Sequence, residues 1–156
     1  MVCLGNICRS PLAEGILKKK IKENHLDWEV DSAGTESYHV GETPHPLAQK
    51  IAVHHGIDIS GHRARRFSKS DLEKFDKIYA MAKDVYEEMK FIGGKNTNMQ
   101  NIDLFLNEVS PGKNLSVPDP WYGGEEDFKY AYKLMEEACD KIILKYGRQN
   151  SGPLPL

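Results

Sequence analysis

With 156 residues, 40% of them hydrophobic, and 21 basic against 23 acidic side chains, the chain can bury a real core and carries no positive excess that would draw it to nucleic acid. No apolar stretch is long enough for a membrane span and no secretory leader precedes Cys3; the odd count of three cysteines then makes a reducing cytoplasm the expected location. No repeat or linker divides the sequence, so one domain is expected over residues 1–148, with a disordered tail over 149–156.

The first motif is Cys3-Leu4-Gly5-Asn6-Ile7-Cys8-Arg9-Ser10-Pro11, where five residues separate a thiol from a guanidinium just before a helix start. A run of this length can curl round a tetrahedral anion and turn successive N–H groups inward, and the helix adds the positive end of its dipole. The same field favours a thiolate at Cys3. Gly5 permits close approach of the backbone, and Asn6 tolerates left-handed geometry and can brace a tight loop with its amide. Arg9 offers a planar fork for two phosphate oxygens. Ser10 can cap the helix or solvate the sulfur, and Pro11 needs no N–H partner in the first turn. Taken alone, the Cys-x5-Arg spacing fits a buried structural cysteine equally well.

Downstream, Ala13, Ile16, Leu17 and Ile21 line one face of a helix over 10–23, with Lys18, Lys19 and Lys20 on a solvated face. Trp28-Glu29-Val30 alternates like a strand and delivers Asp31 and Ser32 at its end. Leu47, Ile51 and Ala52 predict a helix after Pro46 that stops near Gly56, with His54 and His55 on its surface. Ser70 with Glu73, and Asp84 with Glu87, have capping-box spacing. Residues 78–81 read as a buried strand, 102–106 as the last strand, and Gly93-Gly94 as a helix stop. Pro118-Asp119-Pro120-Trp121-Tyr122-Gly123-Gly124 presents a carboxyl on a stiff loop, although an Asp-Pro pair by itself is more often only a turn. Phe128, Ala131, Met135, Ala138, Ile142 and Tyr146 trace the longest helix, with Cys139 buried and inert inside it. No further Cys or His spacing completes a zinc site with Cys3 and Cys8, and no metal or cofactor is expected. Alternating strands and helices predict an α/β fold, a doubly wound and mostly parallel sheet with its ligand at the strand C-termini.

Four segments together, Val2 through Glu14, Asp31-Ser32-Ala33-Gly34-Thr35, His62-Arg63-Ala64-Arg65 and Asp119-Pro120-Trp121-Tyr122-Gly123, resemble low-molecular-weight protein tyrosine phosphatase in order along the chain. The resemblance implies a four-stranded sheet and a metal-free phosphomonoester hydrolase acting through phosphocysteine. By position, Cys3 would attack phosphorus, Arg9 and the loop from Leu4, Gly5, Asn6, Ile7 and Cys8 to Ser10 would bind the phosphate, and Asp119 would protonate the leaving phenolate. Asn6, Ser32 and His62 would hold the loop in shape, and Ser10 would assist departure of the thiolate. Leu4, Ile7, Tyr38, Trp121 and Tyr122 would wall the substrate ring. Expected partners are phosphotyrosine proteins or small aryl phosphates, with inorganic phosphate as product and neither nucleic acid nor membrane. Cys8 would capture an oxidised Cys3 as a disulfide, or else serve as a small packing residue.

The sequence departs from the family in two places. Ala82 follows Met81 where the family commonly has an aspartate. The hydrophobic strand that leads into the phosphate loop is reduced to Met1 and Val2, so the first strand is expected to be largely missing, and strand exchange or a homodimer would compensate. Two other functions fit parts of the pattern. An arsenate reductase can share this loop and fold, but usually recruits a further cysteine pair. A non-catalytic phosphate-binding module would have no use for Asp119 as a proton donor.

Overall fold

A computed structural model describes residues 1–147, and the tail expected at 149–156 lies outside them. Its sheet is centred on β1 (Val2–Cys3), flanked by β2 (Ala33–Gly34) on one side and by β3 (Ile78–Ala80) and then β4 (Ile102–Leu104) on the other. All pairs are parallel, with Val2 opposite both Ala33 and Ala80, and Ile78 opposite Ile102. Parallel neighbours require crossovers. The helices that supply them are α1 (Arg9–Glu23), α2 (Pro46–His54), α3 (Lys69–Lys74) and α4 (Lys83–Gly93). A 3₁₀ turn over Phe105–Glu108 and α5 (Glu125–Tyr146) complete the fold.

Two apolar layers cover the two faces of the sheet. Leu12, Ile16, Ile51, Phe105, Phe128 and Met135 join α1, α2 and α5 in one; Val2, Phe67, Ile78, Val85, Met89 and Leu104 join α3 and α4 to the other. Lys20 does not lie wholly in solvent, since its ammonium meets Asp140 of α5 at 2.6 Å.

Several element boundaries differ from the sequence pattern, each for a local reason. Trp28-Glu29-Val30 is not a strand: on that side β1 is held by Ala33 N–H to Met1 O at 3.0 Å and by Met1 N to Asp31 O at 3.1 Å, and among the described residues no backbone pairing to 28–30 follows. Residues 102–106 keep strand pairing only to Leu104, after which the chain tightens into the 3₁₀ turn. The capping box of α3 is set by Ser68 and Asp71 rather than Ser70 and Glu73: Asp71 accepts the Ser68 N–H at 2.9 Å and is gripped by both ends of the Arg65 fork at 3.0 and 3.1 Å. α4 is capped from outside, Ser116 Oγ accepting the Lys83 N–H at 3.0 Å. α1 begins at Arg9, and Ser10 turns its hydroxyl away from capping and toward the sulfur of Cys3.

The first strand has two residues, Val2 and Cys3. Beyond Met1, residues 27–31 and 77–78 run on either side of a groove of about 650 Å³ lined by Leu17, Ile21, Val30, Phe67, Phe75 and Ile78. The Met1 ammonium sits buried at its inner end, donating to Asp31 O at 3.1 Å, and burial lowers its pKa.

Candidate active site

β1 ends at Cys3, and the chain turns through residues 4–8 before entering α1 at Arg9. The turn is fixed from outside by its carbonyls. Cys3 O accepts from Thr35 N at 3.0 Å, Leu4 O from Glu36 N at 2.9 Å, and Ile7 O from His45 N at 2.8 Å. With the carbonyls so engaged, the N–H groups of Gly5, Ile7 and Cys8 have no backbone partner among the described residues, and they stand at the positive end of α1. β2 passes so close beneath that a Cβ on Gly34 would lie 2.8 Å from Leu4 O, which only glycine allows.

Asn6 is the brace. It is fully buried, with φ at 59°, and its side-chain N–H groups donate to Ser10 Oγ at 2.8 Å and Ser32 Oγ at 2.9 Å. Its Oδ1 accepts the Arg65 N–H at 3.0 Å and meets His62 Nε2 at 3.1 Å. Ser10 from the start of α1, Ser32, and the His62–Arg65 segment thus converge on one amide, and the hydrogen bonds offset the cost of the left-handed backbone.

Cys3 Sγ lies at the bottom of this loop, 2.9 Å from Ser10 Oγ and 3.2 Å from the Asn6 N–H that donates to it. Arg9 is buried. Its Nη1 donates to Val117 O at 3.1 Å, and its Nη2 reaches Asp119 Oδ2 at 3.4 Å. Nucleophile, anion fork and carboxyl, 110 positions apart between Arg9 and Asp119, are therefore in one place. The Asp119 loop is tied to the sheet, since Val117 N–H donates to Met81 O at 2.8 Å while Met81 N–H donates to Val2 O at 2.9 Å. Ala82, where the resemblance would have an aspartate, is buried and supplies only backbone.

Ser32 and His62 both contact Asn6, and both are met in turn by a residue to which the sequence reading gave no role. Glu14 is buried in α1; its Oε1 accepts from Ser32 Oγ at 2.6 Å and stands 3.9 Å from His62 Nδ1, while Oε2 accepts from Lys18 at 2.6 Å. Its signal was available: Ser10, Glu14 and Lys18 recur every four residues, so the carboxyl falls on the loop-facing side of a helix whose neighbouring positions are apolar. Arg65, whose backbone holds Asn6, has a similar unread place in the His62-Arg63-Ala64-Arg65 string.

The rim is looser. Leu4 and Trp121 are partly exposed, and Tyr38 and Tyr122 are 78% and 96% exposed. Ile7, expected in the wall, is buried and packs with the core cluster. His39, beside Tyr38, packs its ring against Gly5 and pairs with Glu42. Cys8 is buried and unpaired; burial first, then Cys3 and Asp119, push its thiol up to about 12. Cys139 is buried in α5 and its pKa is likewise raised by burial.

A buried thiol under an anion-binding turn, with an arginine fork and a carboxyl opposite, is the construction of a cysteine-dependent phosphomonoesterase. The family model for low molecular weight phosphotyrosine protein phosphatase matches residues 1–151. The chain is 38% identical to the low molecular weight protein-tyrosine-phosphatase PtpA of Staphylococcus aureus over 143 residues, 91% of this chain and 88% of that one. Its structure is similar to that of YfkJ from Bacillus subtilis, with a TM-score of 0.88 and 33% identity over 96% and 94% of the two chains. It is also similar to a protein tyrosine phosphatase from Entamoeba histolytica, with a TM-score of 0.86 and 37% identity over 95% of each. The chain belongs to the low molecular weight phosphotyrosine protein phosphatase family.

Proposed function

We propose that the protein hydrolyses aryl phosphate monoesters, phosphotyrosine foremost, through a phosphocysteine on Cys3. The observation that carries this reading is the Arg9 guanidinium, held by Val117 O on one edge and reaching Asp119 on the other, directly beside the loop that contains the sulfur. With Nη1 held by Val117 O, Nε and Nη2 form the edge that takes two phosphate oxygens, Nη2 giving up its 3.4 Å contact with Asp119, and the loop N–H groups take the remainder.

In the first step Cys3 Sγ attacks phosphorus in line with the ester oxygen; the S–P bond forms, the P–O bond breaks, and Asp119 gives its proton to the departing phenolate oxygen. In the second, water attacks phosphorus and loses a proton to Asp119. The S–P bond breaks, Ser10 Oγ–H donates to the leaving sulfur, and inorganic phosphate departs. Asn6, Ser32, His62 and Glu14 touch no reacting atom and act by keeping the loop in one shape. Leu4 and Trp121 supply apolar wall for a flat ring, and a sulfur buried at the loop floor is reached more readily by a phenyl ester than by short phosphoserine.

Buried free thiols suit a reducing cytoplasm. Arsenate reduction would require further thiols to resolve an arsenic adduct, and Cys139 is buried within α5. The reading is tested with aryl phosphates, comparing wild type, Cys3→Ser and Asp119→Asn. Loss of the sulfur is expected to reduce kcat by about a thousandfold or more, and loss of the acid to reduce kcat/KM about a hundredfold on phenyl phosphate and far less on 2,4-dinitrophenyl phosphate. Activity that survives Cys3→Ser refutes it.

A further inference from the structure

His45 connects the phosphate loop, the start of α2 and, through Trp121, the loop that carries Asp119. Its main-chain N–H donates to Ile7 O at 2.8 Å, fixing it to the phosphate loop. Its Nδ1 accepts the Leu47 N–H at 3.1 Å, so that a ring caps α2 where a short oxygen side chain would ordinarily suffice. The ring itself is wedged between Trp121, edge-on with centroids 5.4 Å apart and planes at 75°, and Phe128 of α5, stacked at 4.9 Å and 30°. Accepting at Nδ1 calls for a neutral ring with its proton on Nε2, and burial lowers the pKa of His45 in that direction.

Trp121 in turn donates its main-chain N–H to Asp119 Oδ1 at 3.1 Å. Its ring meets His39 at 5.3 Å as well as His45. The Asp119 carboxyl is thus linked to Trp121, Trp121 to the His45 ring, and His45 to both the phosphate loop and the core helix α5. A serine, asparagine or aspartate at position 45 would cap α2 and leave Trp121 without its wedge.

We propose that His45 is a positioning residue for proton transfer: its ring holds Trp121, and through the Trp121 N–H the Asp119 carboxyl, above the sulfur of Cys3. This rests on the phosphatase reading of the site. Because the proton matters most when the leaving group is poor, the role is visible as a leaving-group dependence that a simple loss of folded protein would not produce.

The experiment compares kcat/KM on phenyl phosphate and on 2,4-dinitrophenyl phosphate for wild type, the two cap-keeping variants His45→Ser and His45→Asn, and the ring-keeping variant His45→Phe, with folding checked by circular dichroism. The cap-keeping variants are expected to lose about tenfold on phenyl phosphate and less than about threefold on the dinitrophenyl ester. The ring-keeping variant is expected to melt earlier yet keep the wild-type ratio between the two esters. Equal losses on both esters in Ser and Asn, or a skewed ratio in Phe, overturn the role of His45 while leaving the phosphatase reading intact. A wild type that hydrolyses neither ester overturns both.

Discussion

Asn6, on the floor of the site, is wholly buried and has both ends of its amide bonded to Ser10, Ser32, His62 and Arg65, whereas Tyr122, on the rim, is 96% exposed. Between these extremes lies Asp119, half in solvent, held by one Arg9 contact at 3.4 Å and by the Trp121 N–H. Anion binding requires dipoles already pointing the right way before substrate arrives, so the floor is rigid by construction. The rim has to admit and release a ring, and its residues are restrained only where they steer the proton.

Breaking the floor should therefore cost most. Asn6→Ala removes the brace and leaves a left-handed alanine with unsatisfied neighbours; a loss of about 2–4 kcal/mol of stability and about a hundredfold in kcat/KM is expected, read by thermal melts and aryl phosphate assays. A variant within twofold of wild type in both would mean that the loop holds its shape without Asn6.

The two thiols of the floor sharpen the contrast next. With its pKa raised to about 12, Cys8 is held protonated at neutral pH, and its alkylation should rise about tenfold per pH unit with no plateau until the pH reaches that value. Iodoacetate at pH 7 is expected to label Cys3 in preference to Cys8, and phosphate to protect it; peptide mapping that finds Cys8 modified first contradicts this.

At the rim, Tyr122→Ala should change kcat less than about twofold, with whatever effect it has appearing in KM.

What the sequence displayed follows the same division. Cys3, Arg9 and the loop between them are contiguous, and local spacing alone suggests anion binding; Asp119 stands out on its Pro-flanked turn. Glu14 and Arg65 were harder to read because their function lies in partners far along the chain, although the four-residue spacing of Ser10, Glu14 and Lys18 carried a hint. The placing of the His45 ring between Trp121 and Phe128 has no local signature, since those two lie more than seventy positions further along the chain. Pattern failed for Trp28-Glu29-Val30 because a strand exists only where a neighbour pairs with it, and for Ser70 because Asp71 was drawn by Arg65 into capping Ser68 instead.

The account turns on the sulfur of residue 3 taking the phosphoryl group. Acid quenching during turnover of 2,4-dinitrophenyl phosphate, followed by peptide mass spectrometry, should find one phosphoryl group on Cys3, with more of it retained in Asp119→Asn, where the second step is slowed while the good leaving group keeps the first step fast. Sustained turnover with no phosphorus on Cys3 at any time point, or with phosphorus on another residue, would contradict it.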